Sequence, residues 1–264
     1  MASAAEIYAD ELHDNFQVMY AAWPPGEPLR LGDYGPIRGN LFVRIGNITS
    51  DEKIAFESRH DPTRDQWEYK SAGSVALAFR GGGKATVSGA AKVRAGLTVR
   101  FSKEDAVFFN AAECSLDSIE DQVAVGKAIL KLFERKQWDG NNAIITHVVD
   151  SLATTVAISS DQKASISLEA TGDAPNIDLA DASIRFSVKA ERNVGYKVIS
   201  KDGLTPLIGL SKIQPKHPWP FSGIKFGPTR RLLPERILDT QTLRAAVDEK
   251  GAPLEDVFFF GDLR

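Results

Sequence analysis

The sequence has a single cysteine, Cys114, among its 264 residues, and it has no long apolar run. A lone cysteine excludes a disulfide framework and favours a reducing compartment. No window approaches the roughly 18 consecutive apolar residues of a transmembrane helix. The opening residues, MASAAEIYADELHDNF, contain neither a basic segment nor an apolar run, so we predict no signal peptide. We therefore expect a cytoplasmic protein that is soluble before any activation.

An excess of positive charge is also missing. The formal net charge is −3, so no overall basic field attracts nucleic acid, and we expect no nucleic-acid partner. Apolar residues make up 43% of the chain, which is enough to build a core for one large domain or two small ones.

Local motifs of catalysis and metal binding are absent as well. No two of the four histidines are spaced as metal ligands. The stretch RGGGK departs from a phosphate-binding loop, because Ala78 stands where the first glycine belongs and Ala85 follows Lys84. We therefore expect no catalytic, cofactor-binding or metal-binding residues, no cofactor and no enzymatic activity. An active site assembled from distant residues stays open as an alternative.

Hydrophobic periodicity predicts a mixed fold. Residues 2–16 are predicted to form a short helix, and residues 118–137 a longer amphipathic helix that starts at Ser118 and has Val123 in its apolar stripe. Residues 49–70 are predicted to be mostly loop, with one strand near Trp67 and Tyr69. From residue 144 onward the period changes to two, which predicts a meander of at least four antiparallel strands. The expected fold is α+β, with a large twisted antiparallel sheet, a central amphipathic helix and an irregular Pro-rich C-terminal tail.

The most informative stretch is KATVSGAAKVRAGLTVRFS, in which small or apolar residues alternate with polar or basic ones from Lys84 to Ser102. A sheet with one face on the core and a basic face in solvent explains this pattern. So does a strand that enters a bilayer, because membrane strands alternate apolar and polar residues and positive charge attracts anionic headgroups. On the second interpretation the membrane-binding residues are Lys84, Lys92, Arg94, Arg100, Val93, Leu97, Val99 and Phe101.

A second amphipathic strand pair is predicted from Leu152–Ile158 and Ile166–Ala170, joined by a turn. Two amphipathic strand pairs in a chain without a signal peptide are the pattern expected of a β-pore former that is stored soluble and inserts late.

The C-terminal part has a different composition. Five prolines between Pro215 and Pro234 oppose regular structure, and the chain then reaches the apolar run Phe258, Phe259 and Phe260. Such a run needs a groove, a partner or a membrane to cover it. We divide the chain into a domain of residues 1–213 and a tail of residues 214–264 that inhibits the domain or binds a partner.

The order of segments resembles the pore-forming domain of the gasdermins, the compact bacterial ones most. The resemblance covers residues 74–213 and lies in LTVRFS, GKAILKLFERKQW, AIITHVVDSLATTVAISS, KASISLEA, SIRFSVKAERNVGYKVI and LTPLIGLSKI. It implies an autoinhibited domain that is released when a protease removes C-terminal sequence. The released domain oligomerises with itself in membrane lipids and forms a pore, as in bacterial anti-phage defence. The alternative from the residues themselves is a soluble, non-enzymatic binding or assembly protein that uses its sheet and apolar tail as an interface.

Overall fold

The computed structural model describes residues 2–81, 94–171, 176–200, 203–215 and 258–262. It has the predicted α+β fold, in which antiparallel strands dominate and helices are few. The helices are α1 (Ala4–Phe16), α2 (Ile48–Asp51) and α3 (Gln122–Glu134). The strands, in chain order, are β1 (Tyr20–Ala21), β2 (Asp33–Arg38), β3 (Leu41–Phe42), β4 (Gly46–Asn47), β5 (Ser58–Lys70), β6 (Val75–Arg80), β7 (Gly96–Phe101), β8 (Val107–Ile119), β9 (Asn142–Ser159), β10 (Ser165–Thr171), β11 (Arg185–Arg192), β12 (Val194–Ser200), β13 (Leu204–Pro215) and β14 (Phe258–Asp262).

The described strands form a large sheet of ten and a small sheet of four. The large sheet is built around β9, an 18-residue strand that is buried over most of its length. Strands β8 and β2 pair along one edge of β9, and β12 and β13 pair along the other. Strand β5 pairs with β8 on the side away from β9. The small sheet has the order β11-β10-β7-β6.

Helix α1 confirms the helix predicted at residues 2–16. Ser3 caps it, because its hydroxyl accepts from the Glu6 amide while the Glu6 carboxylate accepts from the Ser3 amide. Tyr8 and Leu12 are fully buried in a cluster that includes Phe109 of β8. The helix is thereby fixed on one face of the large sheet.

Helix α3 is the predicted central amphipathic helix, but it begins four residues later than its sequence suggests. Ser118 belongs to strand β8, and the residue that caps the helix is Asp121, whose Oδ1 accepts from the Ala124 amide at 2.8 Å. The predicted stripe is also partly wrong. Val123, in the first turn, is 68% exposed, whereas Val125 and Ile129 are buried against the sheet together with Gly126, Leu130 and Phe133.

The strand predicted near Trp67 and Tyr69 is present, but it is longer than predicted and two strand pairings are wrong. Strand β5 begins at Ser58, in residues predicted as loop, and this part carries no apolar alternation because it is an edge strand with exposed side chains. Strands β12 and β13 do not form a meander in the described part of the chain, since both pair with β9. The predicted hairpin of residues 152–158 with 166–170 is absent, because β9 and β10 lie in different sheets. Alternation identifies strands but not their partners.

The C-terminal run Phe258–Phe260 begins strand β14, which pairs antiparallel with β13. Gln214 faces Phe259 in this pairing, and Ile213 faces Phe260. Strand β14 also lies beside helix α3. The backbone of this terminal segment therefore extends the large sheet of its own chain. The proline-rich residues 216–257 lie outside the described residues.

Candidate membrane-insertion region

The four strands of the small sheet continue four strands of the large sheet. Strand β5 leads to β6 through residues 71–74, and β7 leads to β8 through residues 102–106. Strand β9 leads to β10 through residues 160–164, and β11 leads to β12 through Asn193 alone. We call these four connections the junctions. At the junctions the chain leaves one sheet and enters the other.

We call a strand, together with the strand that continues it in the other sheet, a strand line. The two inner strand lines, β7–β8 and β9–β10, pair in the same register on both sides of their junctions. In the small sheet Arg100 faces Ser165, and in the large sheet Val107 faces Ile158. Seven positions separate Arg100 from Val107, and seven separate Ser165 from Ile158. The two inner junctions therefore have matched lengths. We call this pairing of β7–β8 with β9–β10 the central seam.

Backbone hydrogen bonds join the two junctions of the central seam to each other at both ends. The Phe101 amide donates to the Ala164 carbonyl at 2.9 Å, and the Ser159 amide donates to the Ala106 carbonyl at 3.0 Å. The outer connections are also bonded to the inner ones. The Ser71 amide donates to the Val107 carbonyl at 3.0 Å, and the Ser160 amide donates to the Asn193 carbonyl at 3.0 Å. The bend between the sheets is thus a distortion within a continuous ladder.

The outer strand lines have shorter junctions than the inner ones. Lys70 faces Phe108 and Val75 faces Phe101. The outer line therefore advances five positions, from 70 to 75, where the inner line advances seven, from 101 to 108. Extra residues on one strand of a pair bend it and increase its twist. The longer inner junctions are therefore the local cause of the bend.

The small sheet has one apolar and one polar face. The middle of its apolar face, on β7 and β10, is buried in a cluster that also contains Phe108 and Ala157 of the large sheet, whereas Phe79 on β6 and Val188 on β11 are exposed at its edges. The fully or almost fully buried members from β7 and β10 are Leu97, Val99, Phe101, Ile166 and Leu168. On the polar face, the Thr98 and Ser167 hydroxyl oxygens lie 3.2 Å apart and Arg100 is exposed.

The sequence-predicted membrane residues divide between these two faces. Leu97, Val99 and Phe101 lie on the buried apolar face, and Arg100 lies on the exposed polar face. Arg94 is exposed just before β7. Lys84, Lys92 and Val93 fall outside the described residues. The alternation thus indicates the correct face for each residue that the structure describes, in a state where the apolar face is covered.

Glu169, which sequence reasoning missed, joins the four strands of the small sheet. Its Oε1 lies 3.0 Å from Nη2 of Arg80 on β6 and 3.2 Å from Nζ of Lys189 on β11. The Arg80 side chain passes over β7 at Gly96, where a Cβ would lie 3.2 Å from Nη2. The hydrogen bond from Lys189 is the main cause that holds the pKa of Glu169 below its ordinary value. The charges of Lys189, Arg80 and Arg94 lower it further.

The connection between β10 and β11 folds back onto the large sheet. The Asn110 side-chain amide on β8 donates to the Leu179 carbonyl at 2.9 Å. The Ala182 amide donates to Oε1 of Glu113 on the same strand at 3.3 Å. These bonds link the far end of the small sheet to the middle of the large one. They must break if the two sheets are to become one straight sheet.

Other features of the described residues give no catalytic or metal site. No group of three or more His, Cys, Asp or Glu side chains there is placed to hold a metal ion. His60 and Asp117 form a 2.5 Å pair between two exposed strand positions, a cross-strand contact of β5 with β8. Among the described residues, no helix has the length and apolar character needed to cross a bilayer.

Comparison with known proteins gives little. No protein-family model matches the chain, and no curated protein matches it. Among solved structures the chain is similar to a bacterial gasdermin from Bradyrhizobium tropiciagri, with 11% sequence identity and a TM-score of 0.33 over 80% of this chain and 87% of that chain. A likeness at this level carries no functional argument, so the function has to be argued from the geometry of the chain itself.

Proposed function

We propose that this protein forms β-lined pores, and that the structure is its stored state. In the pore-forming state the small sheet swings out at the junctions and continues the large sheet as one straight four-stranded unit. The observation that carries this proposal is the matched register of the central seam. Straightening the two inner junctions places the strands end to end without re-pairing them.

The register matters because a strand that slips by one residue moves all its side chains to the opposite face. Along the central seam no slip is needed, so the apolar face of the small sheet stays apolar when the sheet straightens. Residues 96–106 on one inner line and 160–171 on the other each supply at least the roughly 9–11 residues of a membrane-crossing strand. The inner strands therefore have the length and the pattern that insertion requires.

The apolar face provides the driving force toward the membrane. Leu97, Val99 and Ile166 are fully buried in the stored state, and straightening separates them from Phe108 of the large sheet. Exposing such side chains to water costs free energy in proportion to their apolar area. A bilayer removes that cost by covering the same face with lipid.

Positive charge directs the first contact with the membrane. Arg94 and Arg100 are exposed in the described structure, and Lys84 and Lys92 extend the same alternation in the sequence. Each basic residue near an anionic surface contributes about 1 kcal/mol of attraction. We assign membrane binding to these four residues together with Val93, Leu97, Val99 and Phe101.

The C-terminal segment is the inhibitory element in this proposal. Residues 1–213 form the pore-forming domain, and residues 214–264 form the tail, with Phe258, Phe259 and Phe260 as its anchor. Support comes from β14, which pairs with β13 and lies beside α3 in the same chain. A protease cut in the tail releases the domain from the cytoplasm to membrane lipids, where copies of the chain oligomerise. Bacterial anti-phage defence is the role that we propose for such a device.

The proposal is tested by dye release from vesicles of phosphatidylcholine and phosphatidylglycerol. We compare the full chain with a chain that ends at Gly227, which keeps all of β13 and removes β14. The shortened chain is expected to release dye and the full chain is not. A matched control places Asp at Leu97 in the shortened chain, because a carboxylate on the apolar face opposes insertion. A folded shortened chain that leaves vesicles intact would contradict the proposal.

The second candidate is a soluble binding or assembly protein. One observation favours it: β14 adds to the edge of β13, which establishes that this edge accepts an extended segment. Under this alternative, replacement of Phe258–Phe260 by serine removes a complex between chains. An unchanged mass in solution after the replacement would count against it.

A further inference from the structure

Two serine hydroxyls hold the inner junction at residues 102–106 in its bent form. The Ala106 amide donates to Ser159 Oγ at 2.9 Å, and Ser159 Oγ itself donates to the Lys103 carbonyl at 2.7 Å. The next amide, that of Val107, donates to Ser71 Oγ at 2.9 Å. Two adjacent amides, one at the end of the junction and one at the start of β8, are thus bonded to side chains from β9 and from the 71–74 junction.

The Ser71 hydroxyl is in turn oriented by helix α1. Its proton is donated to Oε2 of Glu11, 2.9 Å away. The Tyr69 hydroxyl, at the end of β5, donates to the same carboxylate oxygen. Burial, followed by the bond to Glu11, raises the pKa of Tyr69 to about 12, so the hydroxyl stays protonated as a donor at neutral pH. Hydrogen bonds to an ionised acceptor are the stronger kind.

Helix α1 is a firm support for this carboxylate. Tyr8, Ala9 and Leu12 on the same helix are fully buried against the large sheet. Glu11 therefore connects a helix fixed on the large sheet to the residues at which the chain turns toward the small sheet. Ser159 has no such link to a helix among its described bonds, because its hydroxyl donates to the backbone carbonyls of Lys103 and Ala106.

We propose that α1 is a latch on the bend, and that the Glu11 carboxylate is the residue that closes it. By holding Tyr69 and Ser71, Glu11 keeps the Ser71 oxygen aimed at the Val107 amide and keeps the junction bent. Loss of the carboxylate weakens the contact between Ser71 and the Val107 amide, and it favours straightening of the junction. The latch rests on the proposed function for its purpose, but its effect on the junction is measurable in the stored protein alone.

The test is amide hydrogen exchange, resolved by NMR, in the full chain and in Glu11→Ala. The Val107 amide is expected to exchange about tenfold faster in the variant, the order of effect of losing one charge-assisted bond. The neighbouring Ala106 amide, bonded to Ser159, should keep its rate. Tyr69→Phe removes the second bond to Glu11. It should accelerate exchange of the Val107 amide and leave the Ala106 amide unchanged.

Asp14→Ala is the matched control, since Asp14 is exposed and lies three residues further along the same helix. It should leave both amides unchanged. Equal rates for Val107 in wild type and Glu11→Ala would overturn the latch. So would faster exchange throughout α1 and at Ala106 alike, because that result would mean general loosening of the fold.

A membrane measurement separates the latch from the proposed function. In the chain ending at Gly227, Glu11→Ala should release dye from phosphatidylglycerol-containing vesicles several-fold faster than the unmodified shortened chain. If neither chain releases dye, the proposed function fails, and the exchange rates of Val107 and Ala106 still decide the latch. If both release dye at the same rate and Val107 is unaffected, the latch fails and the pore former stands.

Discussion

In the described part of the chain, the contacts of Glu169 reach from one edge of the small sheet to the other. Glu169 receives Arg80 from one edge strand and Lys189 from the other, while Gly96 leaves space for the Arg80 side chain between them. The group is solvent-accessible, so each contact is individually weak. Together they connect the β6–β7 pair to the β10–β11 pair. These two pairs must move as one unit if the small sheet is to swing out intact.

This arrangement predicts a pH dependence with a definite sign. The folded-state pKa of Glu169 lies below its ordinary value of 4.5, so the contacts contribute stability that is complete above about pH 4.5. The contribution is lost as the pH falls through the lower folded-state pKa. We expect amide exchange in β10, corrected for intrinsic rates, to accelerate in that acidic range. Glu169→Gln is the control and should lack this component; an identical pH profile in the variant would show that another group is responsible.

At the scale of elements, α3 buries one face against the large sheet. Ile129 on that face lies in the core, whereas Val123 in the first turn is exposed. Ile129→Ala is expected to destabilise the fold by about 2–5 kcal/mol, the usual cost of emptying a buried aliphatic site. Val123→Ala should change stability by less than about 0.5 kcal/mol. Denaturant unfolding measures both changes in stability. A large loss of stability in Val123→Ala would mean that Val123 belongs to the buried stripe after all.

Sequence periodicity identifies elements well where one face is buried. It predicts α1, α3, β7 and the faces of Leu97 and Val99, because burial imposes a regular pattern on each. It finds only the end of β5, near Trp67 and Tyr69, and misses the first part of this edge strand, whose exposed side chains carry no such pattern. It also joins residues 152–158 to 166–170, since alternation contains no information about which strand lies alongside.

The polar contacts of the candidate site escape sequence reasoning for a related reason. Arg80 and Glu169 are 89 residues apart, and Ser71 and Glu11 are 60 apart. Nothing in the local pattern marks these residues, because each is an ordinary polar residue until the fold brings its partner near. The pairing of β6 with β7 and of β7 with β10 brings Arg80 to Glu169, and the packing of α1 brings Glu11 to Ser71.

At the scale of the whole molecule, two sheets share four strand lines, which the junctions interrupt. Strand β5 forms one edge of this four-stranded unit in the described structure and β12 the opposite one, so self-assembly of straight units would use these edges. Strand β5 carries Pro62, Arg59 and Asp61, residues of the kind that protect exposed edges from pairing. On the proposed function, this composition opposes assembly through β5 before the sheets straighten.

The most direct test locks the bend with a reducible cross-link. Cys114 is buried, and burial raises its pKa to about 12; we replace it by alanine so that only introduced thiols react. A short, reducible bis-thiol linker between Glu113→Cys and Ala182→Cys then joins the connection between β10 and β11 to β8, where the Ala182 amide and Glu113 Oε1 lie 3.3 Å apart. The control pair, Thr98→Cys and Ser167→Cys, joins partners in the central seam that remain opposite in both states.

In the chain ending at Gly227, the account predicts that the 113–182 cross-link abolishes dye release and that reduction restores it. The 98–167 cross-link should permit release without reduction. Full release from the cross-linked 113–182 chain would contradict the account, because pores would then form without straightening the bend.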